Sequence, residues 1–171
     1  GTVKDHCGHI EVKSDVGLGT RFTVFLPACH ETRPEKPMPD SWHHLQGRGE
    51  TILVVDDMPE QLEIAAKLLQ RLGYRVLTAA DGLQAIDVLA AETVDLIVLD
   101  MIMEPGIDGL ETYRRILQRW PGHKAVIASG FSESARVRQA QALGAGAYIK
   151  KPYRLEHIGA VVRAELDRDR N

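Results

Sequence analysis

From residue 51 onward the sequence predicts an α/β fold: one open five-stranded parallel sheet with helices on both faces, in the flavodoxin-like doubly wound (βα)5 order. Three observations predict it. Short apolar runs recur, Ile52-Leu53-Val54-Val55, Leu96-Ile97-Val98-Leu99 and Ala147-Tyr148-Ile149, as buried strands do. Amphipathic segments of helical spacing separate them. The runs also end on chemically loaded residues: Asp56-Asp57, Asp100 and Lys151-Pro152. In a parallel sheet the strand C-termini share one edge, where ligands bind, so these carboxylates and the ammonium should meet in one pocket.

The elements follow in order. Thr51–Val55 is the first strand, and Leu62, Ala65, Leu68, Leu69 and Leu72 mark a helix that Gly73 stops. Arg75–Ala79 is the second strand; Asp81 is the N-cap of a helix carrying Leu83, Ile86, Val88 and Leu89. Val94–Leu99 is the third strand, followed by a helix over Gly109–Trp120 with Leu110, Tyr113, Ile116 and Leu117 on one face. Ala125–Ala128 is the fourth strand, and Ser132–Leu143 a helix capped by Ser132. Ala147–Ile149 is the fifth strand, and Leu155, Ile158, Val161, Val162 and Leu166 mark the last helix.

Ahead of this pattern lie two other regions. In residues 1–28, Ile10 and Val12 alternate with Glu11 and Lys13, and Phe22, Val24 and Leu26 with Thr23 and Phe25. The glycine-bearing turn Ser14–Thr20 between them makes a β-hairpin. A lone hairpin is marginal in water, so it reads as the end of a domain whose beginning is missing. Residues 29–50, with Pro34, Pro37 and Pro39, read as a solvated linker.

With 171 residues and 44% hydrophobic content, the chain is long enough for one ordinary domain and some additional structure. A net charge of -3 argues against nucleic acid as a main ligand, which wants a basic face. No apolar stretch is long enough to span a bilayer, and no signal pattern is present. Cys7 and Cys29 make no disulfide framework, and the spacing in His6-Cys7-Gly8-His9 fits no standard zinc pattern. A cytoplasmic location is the expectation.

The strand-end residues suit phosphoryl chemistry. Asp56 and Asp57 are adjacent like charges, which a divalent cation would relieve; one of them would suffice to cap the helix that starts near Pro59. Asp100 is the candidate nucleophile, since carboxylates form aspartyl-phosphates, a reaction that needs charge neutralisation and in-line positioning. Ser129 can donate to a phosphoryl oxygen, although a turn serine is the ordinary case. Lys151 supplies a mobile cation. X-Pro bonds adopt cis at modest cost, and a cis Lys151–Pro152 bond would aim that lysine inward.

Together Val54-Val55-Asp56-Asp57, Leu99-Asp100-Met101-Ile102-Met103, Asp108-Gly109, Ala128-Ser129-Gly130 and Lys151-Pro152 resemble the receiver domain of bacterial two-component systems, from about Thr51 to Asp167. The resemblance implies that Asp57, Asp100 and the backbone carbonyl of Ile102 bind Mg²⁺, with Asp56 holding the metal through water. It implies that Asp100 accepts phosphate from a histidine kinase or a histidine phosphotransfer domain, and that Ser129 and Lys151 bind the phosphoryl oxygens. Tyr148 stands where the family's switch aromatic does. Glu104 is a departure: it separates Met103 from Pro105, which are adjacent in the commonest family pattern.

Residues from Val3 to Pro27, with His6-Cys7-Gly8-His9-Ile10 and Gly17-Leu18-Gly19-Thr20-Arg21-Phe22, resemble the C-terminal end of a histidine-kinase ATP-binding domain. The family's asparagine box, first glycine box and phosphorylatable histidine are absent, so neither strong ATP binding nor autophosphorylation is expected. The order kinase end, linker (29–50), receiver (51–171) resembles the tail of a hybrid sensor kinase, whose parent chain would carry any membrane anchor.

Phosphorylation adds charge and acceptor oxygens, and Ser129 and Lys151 gain interactions only with the phosphorylated form, a differential that shifts a two-state equilibrium. The readout should be the face of the fourth helix, fifth strand and fifth helix of the receiver, where many receivers meet partners or a second receiver; a homodimer through it is an open expectation. Ile102 and Phe131, two residues after Asp100 and Ser129, flank the incoming water in this family. Both are apolar, so slow self-dephosphorylation is expected. Two other readings compete: a Mg²⁺-dependent phosphatase with an aspartyl intermediate, which lacks a general acid two residues after Asp100, and a pseudo-receiver that only binds partners.

Overall fold

The chain divides into two units, residues 1–37 and 38–171. The computed structural model describes residues 2–17, 19–28, 40–130 and 135–168. In the first unit a short helix α1 (Thr2–Asp5) precedes an antiparallel hairpin of β1 (His9–Asp15) and β2 (Gly19–Phe25). The register pairs Ile10 with Val24 and Val12 with Phe22. Period-two alternation puts these four on one face, and all four are exposed.

The second unit opens with a 3₁₀ turn (Asp40–Leu45), then runs β3 (Thr51–Val55), α2 (Pro59–Arg71), β4 (Arg75–Ala79), α3 (Gly82–Ala91), β5 (Leu96–Asp100), α4 (Gly109–Arg119), β6 (Ala125–Ser129), α5 (Ala135–Ala142), β7 (Tyr148–Lys150) and α6 (Leu155–Asp167). The sheet order is β4-β3-β5-β6-β7, with every pairing parallel. This is the flavodoxin-like order that the strand–helix alternation predicts.

β3, β5 and β6 are buried along their whole length, which is why their sequences are continuous apolar runs rather than alternating ones. Alternate residues still part company. Leu53 and Val55 enter a core with α3, α4 and α5; Ile52 and Val54 enter another with α2 and α6. Local signals end the helices as expected. Asp81 caps α3 by accepting the N–H groups of Leu83 and Gln84, both at 2.8 Å. Gly73 follows α2 at φ +84°, a left-handed conformation that glycine adopts without a Cβ penalty. The expected Ser132 cap lies outside the described residues.

Two differences from the sequence reading matter for the site. The third strand runs Leu96–Asp100 rather than Val94–Leu99. Asp95 is held at the strand entrance, where its carboxylate accepts the Thr51 N–H at 2.8 Å. At the other end, Asp100 lies inside the sheet, paired with Ala128. The stretch Trp42–Glu50, expected to be solvated, is packed. Leu45 is buried and Trp42 half-buried against the α2–α6 core, because these two apolar side chains interrupt an otherwise polar stretch.

Candidate functional site

The sheet order decides which side chains meet. β3 and β5 are neighbours, as are β5 and β6, then β6 and β7. Asp56 and Asp57 after β3, Asp100 closing β5, Ser129 closing β6 and Lys151 after β7 therefore stand along one edge. Asp56, Asp100 and Ser129 are buried and Asp57 is half-buried. One carboxylate oxygen from each of Asp56, Asp57 and Asp100 lies within 4.8 Å of the others.

Lys151 reaches into this cluster. Its Nζ pairs with Asp56 and lies 3.2 Å from Asp100 Oδ2, and its side chain is 11% exposed. Its backbone N–H donates to the Ser129 carbonyl at 2.9 Å, and the Lys151–Pro152 peptide is cis. The Asp pair does not cap α2: the N-cap is Met58, without a side-chain bond, and Asp56 Oδ1 accepts the Met58 N–H at 3.1 Å. Asp57 Oδ2 accepts the Glu104 N–H at 3.1 Å, so the residue that interrupts the family pattern touches the site through its backbone.

α4 comes up against the back of Asp100. A Cβ on Gly109 would stand 2.0 Å from the Asp100 carbonyl, closer than any side chain allows. Burial pushes the Asp100 carboxyl up to about 6, with the Asp56 charge adding and Lys151 opposing. Three carboxylates around one ammonium leave the cluster short of positive charge. Hard oxygen donors around a charge deficit suit a divalent cation of the Mg²⁺ type.

Tyr148 is half-buried, and its hydroxyl donates to the Ser129 carbonyl at 3.5 Å. Ile102 is 44% exposed beside the cluster; Phe131 lies outside the described residues. Sequence reasoning missed Tyr153. It is buried two residues after Lys151, and its phenol is pushed up by burial and by the charges of Asp56 and Asp100. The only available signal was its place directly after Lys151-Pro152. Among the described residues no helix is long and apolar enough to cross a membrane.

Known proteins resemble this chain in sequence and fold. The family model "Response regulator receiver domain" matches residues 52–163. The sensor kinase CckA of Brucella abortus is 29% identical over 178 residues, covering 98% of this chain and 19% of that protein. Sporulation initiation phosphotransferase F of Bacillus subtilis is 31% identical over 118 residues, covering 69% of this chain and 94% of that protein. The structure of the response regulator TrrA of Thermotoga maritima, in complex with Mg²⁺ and BeF, superposes with a TM-score of 0.61 at 30% identity, covering 67% of this chain and 97% of that one. The chain thus spans about a fifth of CckA but nearly the whole of the smaller relatives. With the matched stretch from Ile52 to Arg163, the 2-1-3-4-5 sheet order and acids at the ends of β3 and β5, the chain belongs to the response regulator receiver domain family of two-component signalling.

Proposed function

We propose that Asp100 takes a phosphoryl group from a phosphohistidine of a kinase or a histidine phosphotransfer domain, breaking the N–P bond and forming an aspartyl O–P bond. The observation that carries this is the converging of Asp56, Asp57 and Asp100, with Lys151 already spanning Asp56 and Asp100. Asp57, Asp100 and the Ile102 carbonyl would hold Mg²⁺ directly and Asp56 through water. When bound, the cation neutralises charge on the transferring oxygens.

This chain's own residues do the rest. β5 fixes Asp100 by its pairing with β6, and α4 presses on its carbonyl. The Lys151 ammonium, shared between two carboxylates, can transfer its bonds to the phosphoryl oxygens, and the Ser129 hydroxyl donates to them. These gains exist only in the phosphorylated form and so bias its conformation. Tyr148, in β7 between α5 and α6, is the switch aromatic of that readout. The α5–β7–α6 face is the proposed surface for a partner or a second receiver.

The similarity to CckA over 98% of the chain supports residues 1–28 as the end of a kinase ATP-binding domain and 29–50 as the connection, within a hybrid kinase acting in the cytoplasm. The test of the core proposal is intact-protein mass after incubation with acetyl phosphate and Mg²⁺. One phosphoryl group should be gained by the native chain and none by Asp100→Asn. No gain in folded protein with Mg²⁺ present would overturn the phosphoacceptor role and leave a receiver that only binds partners.

A further inference from the structure

Leu45 is 4% exposed and fills the base of the groove between α2 and α6. A Cβ on Gly159 of α6 would stand 3.3 Å from Leu45 and 2.7 Å from Leu72, so bare backbone there lets the three elements close up. Tyr74 donates its hydroxyl to the Leu45 carbonyl at 3.0 Å, and Gly47 donates its N–H to the Leu72 carbonyl at 2.8 Å. The far end of the segment is bolted to α6. Arg163 donates to Glu50 at 2.6 Å and to both oxygens of Asp167 at 2.8 and 3.0 Å. The Arg163 side chain is 9% exposed and that of Glu50 19%. A buried guanidinium fork held by Glu50 and by the half-exposed Asp167 is a joint of defined geometry.

This joint shares its core with the phosphoacceptor edge. The cluster that contains Leu45 also contains Ile149, Tyr153, Ile158 and Val162. Tyr153 follows Lys151 by two residues and lies in the field of Asp56 and Asp100. β3 is a second connection: Glu50 precedes its first residue, and Asp56 follows its last. Close-packed layers rearrange between discrete packings rather than deforming continuously.

We infer that residues 42–50 form a strap whose seating on α6 is energetically coupled to occupation of the strand-end pocket by a phosphoryl group. The inference rests on the phosphoacceptor reading above. It makes the segment entering the receiver a responding element, because α6 also borders the proposed output face. Coupling is reciprocal: if a phosphoryl group changes the seating of the strap, loosening the strap changes the affinity of the pocket by the same factor.

The strap carries its own reporter, Trp42, and Trp120 is the other tryptophan of the chain. In the full chain bearing Trp120→Phe, Mg²⁺ with beryllofluoride should shift Trp42 emission and change amide exchange across residues 42–50 by about fivefold, the low end of ordinary coupling. Asp100→Asn should abolish both responses. Glu50→Gln should move the half-saturating beryllofluoride concentration by about the same factor. Leu45→Val, which trims the plug without altering charge, should move it in the same direction. Loading is checked separately as the mass gain from acetyl phosphate. A chain that loads but shows a silent Trp42 and unchanged exchange overturns the strap alone. A chain that never loads overturns both the strap and the phosphoacceptor reading.

Discussion

The two edges of the parallel sheet each carry a charge cluster, and they differ in whether the charges are matched. At the N-terminal edge Arg163 sits between Glu50 and Asp167, and Lys124 Nζ donates to the Leu166 and Arg168 carbonyls at 2.6 Å each. Arg168 lies 2.7 Å from Glu165. At the C-terminal edge three carboxylates converge, and Lys151 pairs with two of them, Asp56 and Asp100. A matched cluster holds parts of the fold in place. An undersupplied one keeps attraction for a cation or for a group that recruits the lysine, and perturbed carboxyls in such a place mark a functional site.

Removing one charge from each edge should therefore have opposite effects, and these are the largest expected. Arg163→Ala removes the cation that Glu50 and Asp167 share and should destabilise the chain by about 2 kcal/mol, less than a fully buried pair because Asp167 is half-exposed. Asp100→Asn relieves a carboxyl held at about 6 rather than 3.8. It should stabilise the metal-free protein at pH 7 by up to about 3 kcal/mol. Urea denaturation without Mg²⁺ measures both. A loss of stability in Asp100→Asn comparable to that in Arg163→Ala would make the C-terminal edge a structural cluster and erase the distinction.

The same contrast shows what a sequence can carry. Continuous apolar runs gave the strands because β3, β5 and β6 are covered on both faces, and the strand ends carried Asp56, Asp57, Asp100 and Lys151 with them. Asp81 and Gly73 were legible because caps are local. The bond from Thr51 to Asp95, 44 residues apart, was not, nor was the pairing with Ala128 that keeps Asp100 inside its strand. Nor was the sharing of Lys151 between Asp56 and Asp100, which depends on which strands are neighbours. Trp42 and Leu45 lack the repetition that marks a packed element; only the groove between α2 and α6 explains them.

The edges should also separate by pH and by Mg²⁺. Asp100 has a folded value above its unfolded one, so the metal-free chain loses stability from this group as pH rises from about 4 to about 6. Glu50 is shifted the other way: burial opposes its ionisation, but the Arg48 N–H and Arg163 outweigh it and hold the carboxyl below the usual range. Its contribution is present near neutrality and is lost as pH falls below about 4.5. Mg²⁺ at a hundredfold excess over its dissociation constant should add about 2.7 kcal/mol above pH 6, and less below it, where protons compete for the ligands. Thermal melts across pH, with and without Mg²⁺, read both effects. Equal Mg²⁺ stabilisation in Asp57→Ala would place the cation elsewhere.

The smallest expected effect concerns the lifetime of the phosphorylated state. Beside the charged residues of the C-terminal edge stands Ile102, apolar and 44% exposed. Its side chain offers no hydrogen bond to a water approaching the phosphoryl group. An amide at this position supplies a donor and an acceptor without adding a formal charge. Ile102→Asn should therefore speed phosphate loss by roughly tenfold, below the 10²–10⁴ typical of a positioned general base, while leaving the extent of loading unchanged. The decay of the phosphorylated mass peak gives the rate. An unchanged decay would mean that the access of water, rather than its orientation, limits hydrolysis, and would move the control of lifetime from Ile102 to whatever covers Asp100.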